Sequence, residues 1–592
     1  MQASARMQKK RWVICPPDKC SEQLARTLKV SPLLAQVLIN RKVCDARAGA
    51  VFLSPKLTEL IAPGQMPGIK PAVQRLKQAI KNKEKITVYG DYDVDGITGV
   101  SILRQILTLL GANVDYYIPH RIDEGYGLNP EAVRSLAESG SKVLVTVDCG
   151  ITAFSSAELA RQLGVELIIT DHHQPEEQLP EAAAIVHPAL EESYPNQDSA
   201  GAMVAFKLAW AIADEFSSGQ KLRSDLREFM LNATSLAAIG TVADIVDLRG
   251  ENRVLTSYGL KVLPACKLCG IQALIDSAGL TGQGLDSFHI GFRLAPMLNA
   301  AGRMGHARLA VELLTSENPA RAQQIAEYLK EQNTRRQLCE RKIFKQACEM
   351  IVERGLDRPE RRSIVLAREN WHGGVLGIVA SRIVETFYRP TVLISTPASD
   401  GGRRTTEEGP VPAQGSARSI PGFPLRSALQ ACSRHLVKFG GHKMAAGITI
   451  EPPKIDQFAA EFEAYAGSNL TQDDVIAKLH IDAVAPLAEF SKDLVGQLQV
   501  LGPFGAGNPE PVFATKGVRL ACPPRKVGAR LDHLQLAITD NSGSVRCIGF
   551  SMAQFDKKLL DREFFNVAYH PHINTYNGCS NVEFILADIQ FD

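Results

Sequence analysis

The chain has 592 residues, of which 45% are hydrophobic and 22% are charged. This composition is typical of a globular protein and excludes a disordered chain, while the length exceeds what a single hydrophobic core can organise, so we expect three or four domains. With 66 basic and 64 acidic residues, the net charge of +2 neither indicates nor excludes a polyanionic partner.

The sequence also bears on the cellular compartment. No signal peptide is evident in the first twenty residues, because they lack a long apolar stretch. No uncharged apolar run approaches the roughly 18 residues that a membrane span requires. The one close cysteine pair, Cys266 and Cys269, lacks the further ligands of a structural zinc site. We therefore expect reduced thiols and a cytoplasmic location.

Residues 85–188 alternate short β-branched runs with segments of helical spacing, which predicts βαβ units and a parallel sheet. The predicted strands are Ile86–Tyr89, Val114–Ile118, Val143–Val147, Leu167–Thr170 and Ala183–Val186. Between the first two strands, an apolar stripe followed by Gly111 predicts a helix and its end. That stripe comprises Val100, Leu103, Ile106, Leu107 and Leu110.

Three polar clusters follow predicted strands directly. They are Asp91, Asp93 and Asp95 after the first strand, Asp148 after the third, and Asp171, His172 and His173 after the fourth. The carboxyl ends of parallel strands meet at one edge of a sheet, where ligands bind. We expect the first cluster to form an extended loop, in which acids two residues apart share a face.

Five carboxylates and two imidazoles at one sheet edge indicate a hard-cation site that suits Mn²⁺ or Mg²⁺. Two ions are expected, and a pair of divalent ions is suited to phosphoester hydrolysis. Taken singly, the Asp-x-Asp-x-Asp-Gly run could be a calcium-type turn, and Asp-His-His could be a surface turn. The placement of all three clusters at successive strand ends favours the catalytic interpretation.

The remaining chain predicts three more parts. Residues 320–354 lack glycine and proline, which predicts a long helix; no clean heptad persists, so a spacer is preferred over a coiled coil. A second α/β lobe follows, with strands Ser363–Ala367 and Thr391–Ile394 around a helix from Gly377 to Phe387. Beyond about residue 455, turn signals at 540–543 and 577–578 predict a small β-barrel.

Several motifs together resemble the DHH phosphoesterase superfamily. They are Asp-Tyr-Asp-Val-Asp-Gly at 91–96, Val-Asp-Cys-Gly at 147–150, Thr-Asp-His-His at 170–173, Gly-Thr-Val-Ala-Asp at 240–244 and Gly-Gly-His-Lys-Met-Ala-Ala-Gly at 440–447. The stretches 119–127, 293–303 and 501–513 extend the resemblance, over about residues 50 to 592, to the bacterial RecJ family of single-stranded-DNA exonucleases.

The resemblance implies an α/β fold with four parts: a parallel-sheet DHH domain, a long spacer helix, a second α/β DHH-associated domain and a C-terminal OB-fold β-barrel. We predict an N-terminal segment at residues 1–50, the DHH domain at 51–318 and the spacer helix at 319–355. The DHH-associated domain is predicted at 356–452 and the OB-fold barrel at 455–592. The implied activity is 5′-to-3′ exonuclease action on single-stranded DNA that releases 5′ mononucleotides by two-metal hydrolysis, in DNA repair and recombination.

The resemblance also implies metal-site roles, residue by residue. One ion would be held by Asp95, Asp148, His172 and Asp244, and the other by Asp91, Asp93 and the shared Asp148. His173 would contact the scissile phosphate, and Asp171 would orient the imidazoles. Asp244 falls in a predicted helix, Leu231 to Ile245, and the sequence alone does not prefer it over Asp247.

For substrate binding, the resemblance implies that Arg121, Ser416 and Arg418 hold a 5′-terminal phosphate, with Arg303 on the nearby backbone. Arginine forks suit phosphate oxygens, although Arg418 could instead form a surface ion pair. Tyr126 could stack a base or fill a core, and His442 could touch phosphate or cap a loop.

Alternatives within the superfamily are hydrolases of short oligonucleotides, cyclic dinucleotides or pyrophosphate, and a non-enzymatic replication scaffold. The additional barrel favours a polymeric substrate, and the presence of every proposed ligand favours an enzyme. Single-stranded DNA is the expected partner; a single-strand-binding protein and a RecQ-type helicase are implied by the resemblance only. No membrane partner is expected.

Overall fold

The computed structural model describes residues 10–121, 124–217, 221–303, 306–397, 405–406, 409–576 and 578–591. Ile122 and Asp123 of the stretch 119–127, Asn577 of a predicted turn, and the first nine residues of the predicted N-terminal segment lie outside the described residues. The chain divides into a larger unit, Ile14–Gln332 with His480–Asp592, and a smaller unit, Asn333–Leu479 with the N-terminal residues up to Val13.

A five-stranded parallel sheet organises the first part of the larger unit. In spatial order its strands are Asn113–Tyr117, Lys85–Gly90, Val143–Val147, Glu166–Thr170 and Ala184–Val186. All four pairings are parallel, and Val88, Val145 and Ile168 in the central strands are fully buried. The predicted βαβ sheet is confirmed, because helices cover strands that are apolar on both faces.

The chain up to residue 314 also contains many helices. Their bounds are Ser21–Leu28, Pro32–Asn40, Ala46–Leu53, Ile69–Lys81, Val94–Leu109, Pro130–Glu138, Phe154–Gln162, Gly201–Glu215, Ser224–Ala243, Gly250–Val262, Cys269–Ser277, Ser287–His289, Ala295–Arg303 and Ala307–Leu314, with a π-helical turn at Ile290–Leu294. The helix Val94–Leu109 ends before Gly111, whose φ is +74°. Its first ten residues are buried on every side, because the helices Gly201–Glu215 and Ser224–Ala243 pack against it.

The expected extended loop at Asp91–Asp95 is wrong. The helix begins at Val94, and the Asp93 carboxylate caps it by accepting hydrogen bonds from the backbone N–H groups of Asp95 (2.9 Å) and Gly96 (3.2 Å). An aspartate that accepts from the first free N–H groups is a favourable N-cap. Asp95 therefore lies in the first helical turn rather than beside Asp93 on an extended strand.

Asp244 follows a helix instead of lying within one. The predicted helix Leu231 to Ile245 is the helix Ser224–Ala243, which starts earlier and leaves Asp244 as its cap. It ends here because Ile245 adopts a left-handed conformation, with φ of +64°. The long helix spans Pro319–Glu353, and Gly355, with φ of +62°, follows its end as the sequence predicts.

The smaller unit contains a mixed five-stranded sheet. In spatial order its strands are Leu436–Gly441, Ala445–Ile450, Ala413–Arg418, Thr391–Thr396 and Ile364–Glu369. Only the last two run parallel. The helices are Gly373–Phe387, Leu425–Ala431 and Ile455–Asn469, and the short strands Thr405–Thr406 and Gly409–Pro410 pair with each other.

Two sequence expectations for the smaller unit change. The helix predicted from Gly377 starts at Gly373, where the His372 imidazole accepts a hydrogen bond from the Gly374 N–H (3.1 Å). The helix Ile455–Asn469 packs Phe458 and Phe462 into the core of this sheet. The barrel was expected to start at residue 455, but this packing places the helix with the smaller unit. The other predicted limits stay predictions.

The C-terminal strands close into a barrel within the larger unit. Around the barrel they are Ala483–Val484, Phe513–Val527, His533–Thr539, Ser544–Gly549, Cys579–Gln590 and Phe565–Tyr576, and the last pairs back onto Phe513–Val527. The predicted turn at 540–543 joins two of them: the Asp540 carboxylate accepts from the N–H groups of Ser542 (2.7 Å) and Gly543 (2.9 Å). The helices Lys492–Gln499 and Asp556–Leu560 accompany the barrel.

None of the twelve cysteines, all of which fall in the described ranges, forms a disulfide. In the part of the chain that the structure describes, no single helix has the length and apolar character to cross a membrane; the bent pair Gly250–Ala265 and Cys269–Ser277 meets those two criteria only when taken together.

Candidate metal centre

The three predicted polar clusters meet at one edge of the parallel sheet. Each cluster starts where its strand donates a hydrogen bond to the neighbouring strand: the Asp91 N–H donates to the Val147 carbonyl (3.2 Å), the Asp148 N–H to Thr170 (3.0 Å) and the Asp171 N–H to Val186 (3.2 Å). Strand register therefore fixes the backbone of all three aspartates at the same level of the sheet.

The side chains converge into three overlapping groups. In each group, one ligand atom per residue lies within 4.8 Å of the others; the groups are Asp95, His172 and Asp244; Asp91, Asp93 and Asp148; and Asp148, His172 and His173. The first two groups resemble the two ligand sets that the sequence implied, with Asp148 close to both. Carboxylate oxygens with one imidazole suit Mn²⁺ or Mg²⁺.

The hydrogen bonding at the centre fits a cation. His172 Nε2 lies 3.0 Å from Asp148 Oδ1, 3.6 Å from Asp244 Oδ2 and 3.8 Å from Asp95 Oδ2. Yet His172 Nε2, Asp148 Oδ1 and Asp91 Oδ1 are all buried without a hydrogen-bond partner. Buried polar atoms are normally satisfied, so unsatisfied atoms that face one another indicate a missing partner. Divalent cations at the ligand groups that contain these atoms would satisfy them.

The carboxylates resist ionisation in the absence of a cation. Burial, reinforced by Asp93, raises the pKa of Asp95 to about 7. Burial, reinforced by Asp95, raises the pKa of Asp244 to about 9, and burial followed by the charges of neighbouring aspartates raises the pKa of Asp91 and of Asp148 well above the usual range. Bound cations would remove this penalty.

Two local features hold the carboxylates in place. The Asp95 oxygens accept hydrogen bonds from the N–H groups of Gly201 (2.5 Å) and Ala202 (2.9 Å), at the start of the helix Gly201–Glu215. A Cβ atom at Gly201 would lie 2.7 Å from the Asp148 Cβ, so only glycine fits there. Asp148 itself has φ of +63°, a conformation that is uncommon for non-glycine residues and is concentrated at functional sites.

Asp171 and His173 form a charged pair beside the metal ligands. The Asp171 carboxylate lies 2.7 Å from His173 Nδ1 and also accepts from the Ile151 N–H (2.9 Å). Burial is the largest single effect and opposes ionisation of both groups. Their mutual hydrogen bond and opposite charges outweigh it only together with the backbone N–H groups that bond to Asp171 and the charges of Asp93 and Asp95 near His173, so the pKa of Asp171 is lowered and that of His173 is raised. By contrast, burial and the neighbouring His173 lower the pKa of His172 to about 4, so the His172 imidazole is neutral near pH 7, the form in which it could bind a cation.

Three predicted substrate residues lie in the larger unit. Tyr126 is 53% exposed, which excludes the core-filling alternative. Its hydroxyl lies 3.1 Å from His173 Nδ1 and donates to the Asp148 carbonyl (3.3 Å). The Arg121 guanidinium lies over the Tyr92 ring, 4.8 Å from its centroid. Arg303 is half-buried at the end of the helix Ala295–Arg303.

The other three predicted substrate residues lie in the smaller unit. Ser416 and Arg418 share the strand Ala413–Arg418, and Arg418 Nη1 donates to Ser416 Oγ (3.1 Å) and to the Ala417 carbonyl (2.8 Å). A Cβ atom at Gly377 would lie 2.6 Å from Arg418 Nη2, so the absence of a side chain there leaves room for the guanidinium. His442 is exposed, and its N–H donates to the Ala445 carbonyl in a hairpin turn (2.8 Å).

His187 is a site residue that the sequence reasoning missed. It is fully buried; its Nε2 lies 2.8 Å from the His173 carbonyl oxygen, and its Nδ1 accepts from the Ala189 N–H (3.1 Å). Burial lowers its pKa, so neutral His187 with its proton on Nε2 supports the backbone of His173. It directly follows the strand Ala184–Val186, and the same strand-end rule that found the other clusters could have found it.

Comparisons with known proteins agree with this architecture. Three family models match the chain: "DHH family, N-terminal domain" at residues 85–234, "DHHA1 domain" at 361–468 and "RecJ OB domain" at 481–588. The DHH match contains all of the strand-end clusters, and Asp244 lies beyond its end. The DHHA1 match includes the helix Ile455–Asn469, in agreement with the packing of that helix.

Whole-chain relatives extend these matches. The chain is 37% identical over 582 residues to the single-stranded-DNA-specific exonuclease RecJ of Bacillus subtilis, covering 98% of this chain and 71% of the relative. Two solved structures of RecJ from Thermus thermophilus also match. The complex with Mn²⁺ has a TM-score of 0.81 at 31% identity and covers 98% of this chain and 80% of that one; the complex with Mg²⁺ has a TM-score of 0.75 at 30% identity and covers 98% and 78%. This chain belongs to the RecJ family of single-stranded-DNA-specific exonucleases.

Proposed function

We propose that this protein is a Mn²⁺- or Mg²⁺-dependent exonuclease that degrades single-stranded DNA from the 5′ end and releases 5′ mononucleotides. The observation that carries the proposal is the buried group of aspartates around His172, in which unsatisfied oxygen and nitrogen atoms face one another. The match of the whole chain to single-stranded-DNA-specific exonucleases, including structures in complex with Mn²⁺ and Mg²⁺, supports the substrate and the metals.

The geometry of the groups supports the metal ligands that we propose. Asp95, Asp148, His172 and Asp244 would hold one ion, and Asp91, Asp93 and Asp148 would hold the other. Such a pair of divalent ions supplies an activated water and neutralises charge on the scissile phosphate. Neutral His172 offers Nε2 as a ligand atom, and the helix N-terminus at Gly201 orients the Asp95 carboxylate.

His173 is the protein's own cation at the reacting phosphate in this proposal. Its pair with Asp171 favours the protonated imidazole and raises its pKa, because protonation places opposite charges 2.7 Å apart. A protonated imidazole can donate a hydrogen bond to a phosphate oxygen and stabilise the charge that develops there. The Tyr126 hydroxyl lies beside the His173 ring, and His187 holds the backbone carbonyl of His173.

The 5′-to-3′ direction of degradation would depend on groups that bind phosphate, and each unit contributes candidates. In the larger unit Arg121 and Arg303 would bind the terminal phosphate and nearby backbone, with Tyr126 alongside. In the smaller unit Ser416 and Arg418 would bind the terminal phosphate through a hydroxyl and a guanidinium fork, and exposed His442 would contact the backbone. The closed barrel would hold the following nucleotides, as OB folds do.

The proposal extends to the cell. Degradation of single strands fits a role in DNA repair and recombination, in the cytoplasm, with a single-strand-binding protein and a RecQ-type helicase as partners that would supply or expose the substrate. Co-sedimentation of the purified chain with each candidate partner tests this part, and the absence of binding to either would reject it.

A single assay tests the activity. The protein is incubated with Mn²⁺ and end-labelled single strands, duplexes or dinucleotides, alongside Asp148→Ala and the matched control Asp115→Ala, an exposed aspartate on the edge strand Asn113–Tyr117. We expect 5′ mononucleotides from single strands, and we expect Asp148→Ala alone to abolish them. Cleavage of dinucleotides with long strands spared would instead indicate a small-substrate hydrolase, and strand binding without product would indicate a scaffold.

A further inference from the structure

The motif Leu501–Phe513 leads from the first barrel strand, Ala483–Val484, into the second, Phe513–Val527, and contains a tight turn, residues 505–508. Gly505 and Asn508 exchange backbone hydrogen bonds, of 2.9 Å from the Gly505 N–H and 3.2 Å from the Asn508 N–H. Asn508 is fully buried, and its Nδ2 donates to the carbonyl groups of Leu501 and Pro503, both at 2.8 Å. The side chain of Asn508 thus makes the turn rigid, since it bonds to the chain that leads into it.

The 505–508 turn is anchored from behind by a buried arginine. Arg41 Nε donates to Asn508 Oδ1 (2.9 Å), and Arg41 Nη1 pairs with Asp482 Oδ1 (2.9 Å) at the start of the barrel segment. The Arg41 side chain is only 5% exposed. The anchor therefore links the N-terminal helix Pro32–Asn40, the first residues of the barrel segment and the turn.

The 505–508 turn also contacts the chain segment that follows Asp244, a candidate metal ligand. The Leu248 N–H donates to the Ala506 carbonyl (2.8 Å), and Arg249 Nε donates to the Gly507 carbonyl (2.7 Å). A Cβ atom at Gly507 would lie 2.6 Å from the Asp247 Cγ. Gly507 also has φ of +67°, so this position favours glycine for two independent reasons.

The loop 245–249 needs such support. Ile245 turns the chain in a left-handed conformation that is unfavourable for a β-branched residue and is 73% exposed. Asp244 must stay beside the like-charged Asp95 and near His172. Within its own domain the loop is bonded at its two ends, from the Ile245 N–H to the Val242 carbonyl (3.3 Å) and from the Arg253 N–H to the Arg249 carbonyl (3.2 Å). Between these ends, Asn252 Nδ2 donates to the Asp247 carbonyl (3.0 Å), and the Asp247 N–H makes a longer bond to Asp198 (3.4 Å).

We propose that the 505–508 turn positions Asp244, so that the segment that carries the barrel completes the metal centre. The inference rests on the proposed function in one respect, the assignment of Asp244 as a metal ligand. Gly507 and Arg249 are positioning residues in this account, because they act on the cation through the loop 245–249. A disturbance of the turn would weaken divalent-cation binding without altering any ligand.

The test compares Gly507→Ala with Gly517→Ala in the full chain. Gly517 has φ of +65°, and a Cβ atom added there would have no neighbour within 4 Å, so the substitution causes the same backbone strain without contact to the loop. Mn²⁺ binding is measured by calorimetry on metal-free protein, together with hydrogen exchange of residues 244–250. We expect Gly507→Ala to bind one ion at least tenfold more weakly and to exchange faster in that segment, while Gly517→Ala keeps the wild-type affinity.

Arg249→Met is the second variant, since it removes the bond to the Gly507 carbonyl without backbone strain. It should weaken Mn²⁺ binding in the same direction. Wild-type Mn²⁺ affinity in both Gly507→Ala and Arg249→Met, or an equal loss in Gly507→Ala and Gly517→Ala, would overturn the inference. Because affinity is read without DNA, a wild-type protein that binds Mn²⁺ but does not cut single strands would contradict the proposed function and leave this test intact.

Discussion

Replacement of Asp171 by asparagine removes one charge from the candidate centre and changes the shape of the side chain very little. The carboxylate is 1% exposed and accepts four hydrogen bonds: from the Ile151 N–H, the His172 N–H, the His173 N–H and His173 Nδ1. Three of these reach Oδ1, and Ile151 alone reaches Oδ2. In the variant, the amide oxygen can accept the three bonds that reach Oδ1, but the amide NH₂ must then face the Ile151 N–H.

The magnitude follows from those four bonds. A hydrogen bond to a charged group is worth about 1 kcal/mol more than a neutral one, and a buried unsatisfied donor costs about 1 to 3 kcal/mol. We therefore expect the free energy of unfolding of the metal-free protein to fall by about 4 to 6 kcal/mol. Loss of such an outer partner typically lowers metal affinity or activity by about 10- to 100-fold, so kcat on single-stranded DNA should fall by that factor.

The pH profile identifies the cause. Without the Asp171 charge the pKa of His173 falls, because the hydrogen bond to the Asp171 carboxylate and its charge are the largest of the effects that raise it. If protonated His173 assists the reaction, the alkaline limb of kcat must then move to lower pH. The assay is mononucleotide release from labelled single strands across pH 6 to 10, with Asp115→Asn as a surface control. An Asp171→Asn variant with wild-type kcat and an unmoved alkaline limb would refute the reasoning.

Two further predictions concern the metal-free state and the binding of the terminal phosphate. The pKa values of Asp95 and Asp244 are raised to about 7 and about 9, above the unfolded value of about 4. The stability of the metal-free protein should therefore fall as the pH rises from about 4 to 9. The difference in Tm between Mn²⁺-loaded and chelated protein should widen over that pH range, and a constant difference would contradict this prediction. In Gly377→Ala the new Cβ, 2.6 Å from Arg418 Nη2, displaces a flexible guanidinium; KM should rise about tenfold for 5′-phosphorylated strands but not for 5′-hydroxyl strands, and an equal change for both would exclude a terminal-phosphate role for Arg418.

The sequence predicted the location of the centre because strand ends in a parallel sheet are a topological constraint. The β-branched runs identified every strand of the sheet to within about two residues, and the polar residues after them had no other place to converge. The same rule, applied to the end of the fifth strand, Ala184–Val186, would have included His187. The sheet edge was therefore more predictable than the individual contacts made there.

Local conformation was less predictable than topology. Asp93 was expected in an extended loop, although an aspartate directly before an apolar helical run is also an N-cap signal. In the structure its carboxylate caps the helix by accepting from the N–H groups of Asp95 and Gly96. The sequence could not favour Asp244 over Asp247 as the site residue. The chain turns between them at Ile245, which has a left-handed conformation, and a β-branched residue does not predict that conformation.

Long-range packing was the least predictable. The motif Leu501–Phe513 was recognisable as a motif, but its contacts join residues far apart in sequence, as from Arg41 to Asn508 and from Arg249 to Gly507. The helix Ile455–Asn469 has an amphipathic pattern that fits either neighbouring domain, and only the packing of Phe458 and Phe462 assigns it to the smaller unit.

The most direct test of the account is the number of Mn²⁺ ions that the metal-free protein binds, measured by equilibrium dialysis near pH 8. The geometry predicts two ions per wild-type chain, about one for Asp244→Asn, which removes a ligand from one group only, and a loss at both sites for Asp148→Asn, whose carboxylate lies between the groups. A single ion in the wild-type chain, or two ions retained in Asp148→Asn, would contradict the two-metal centre.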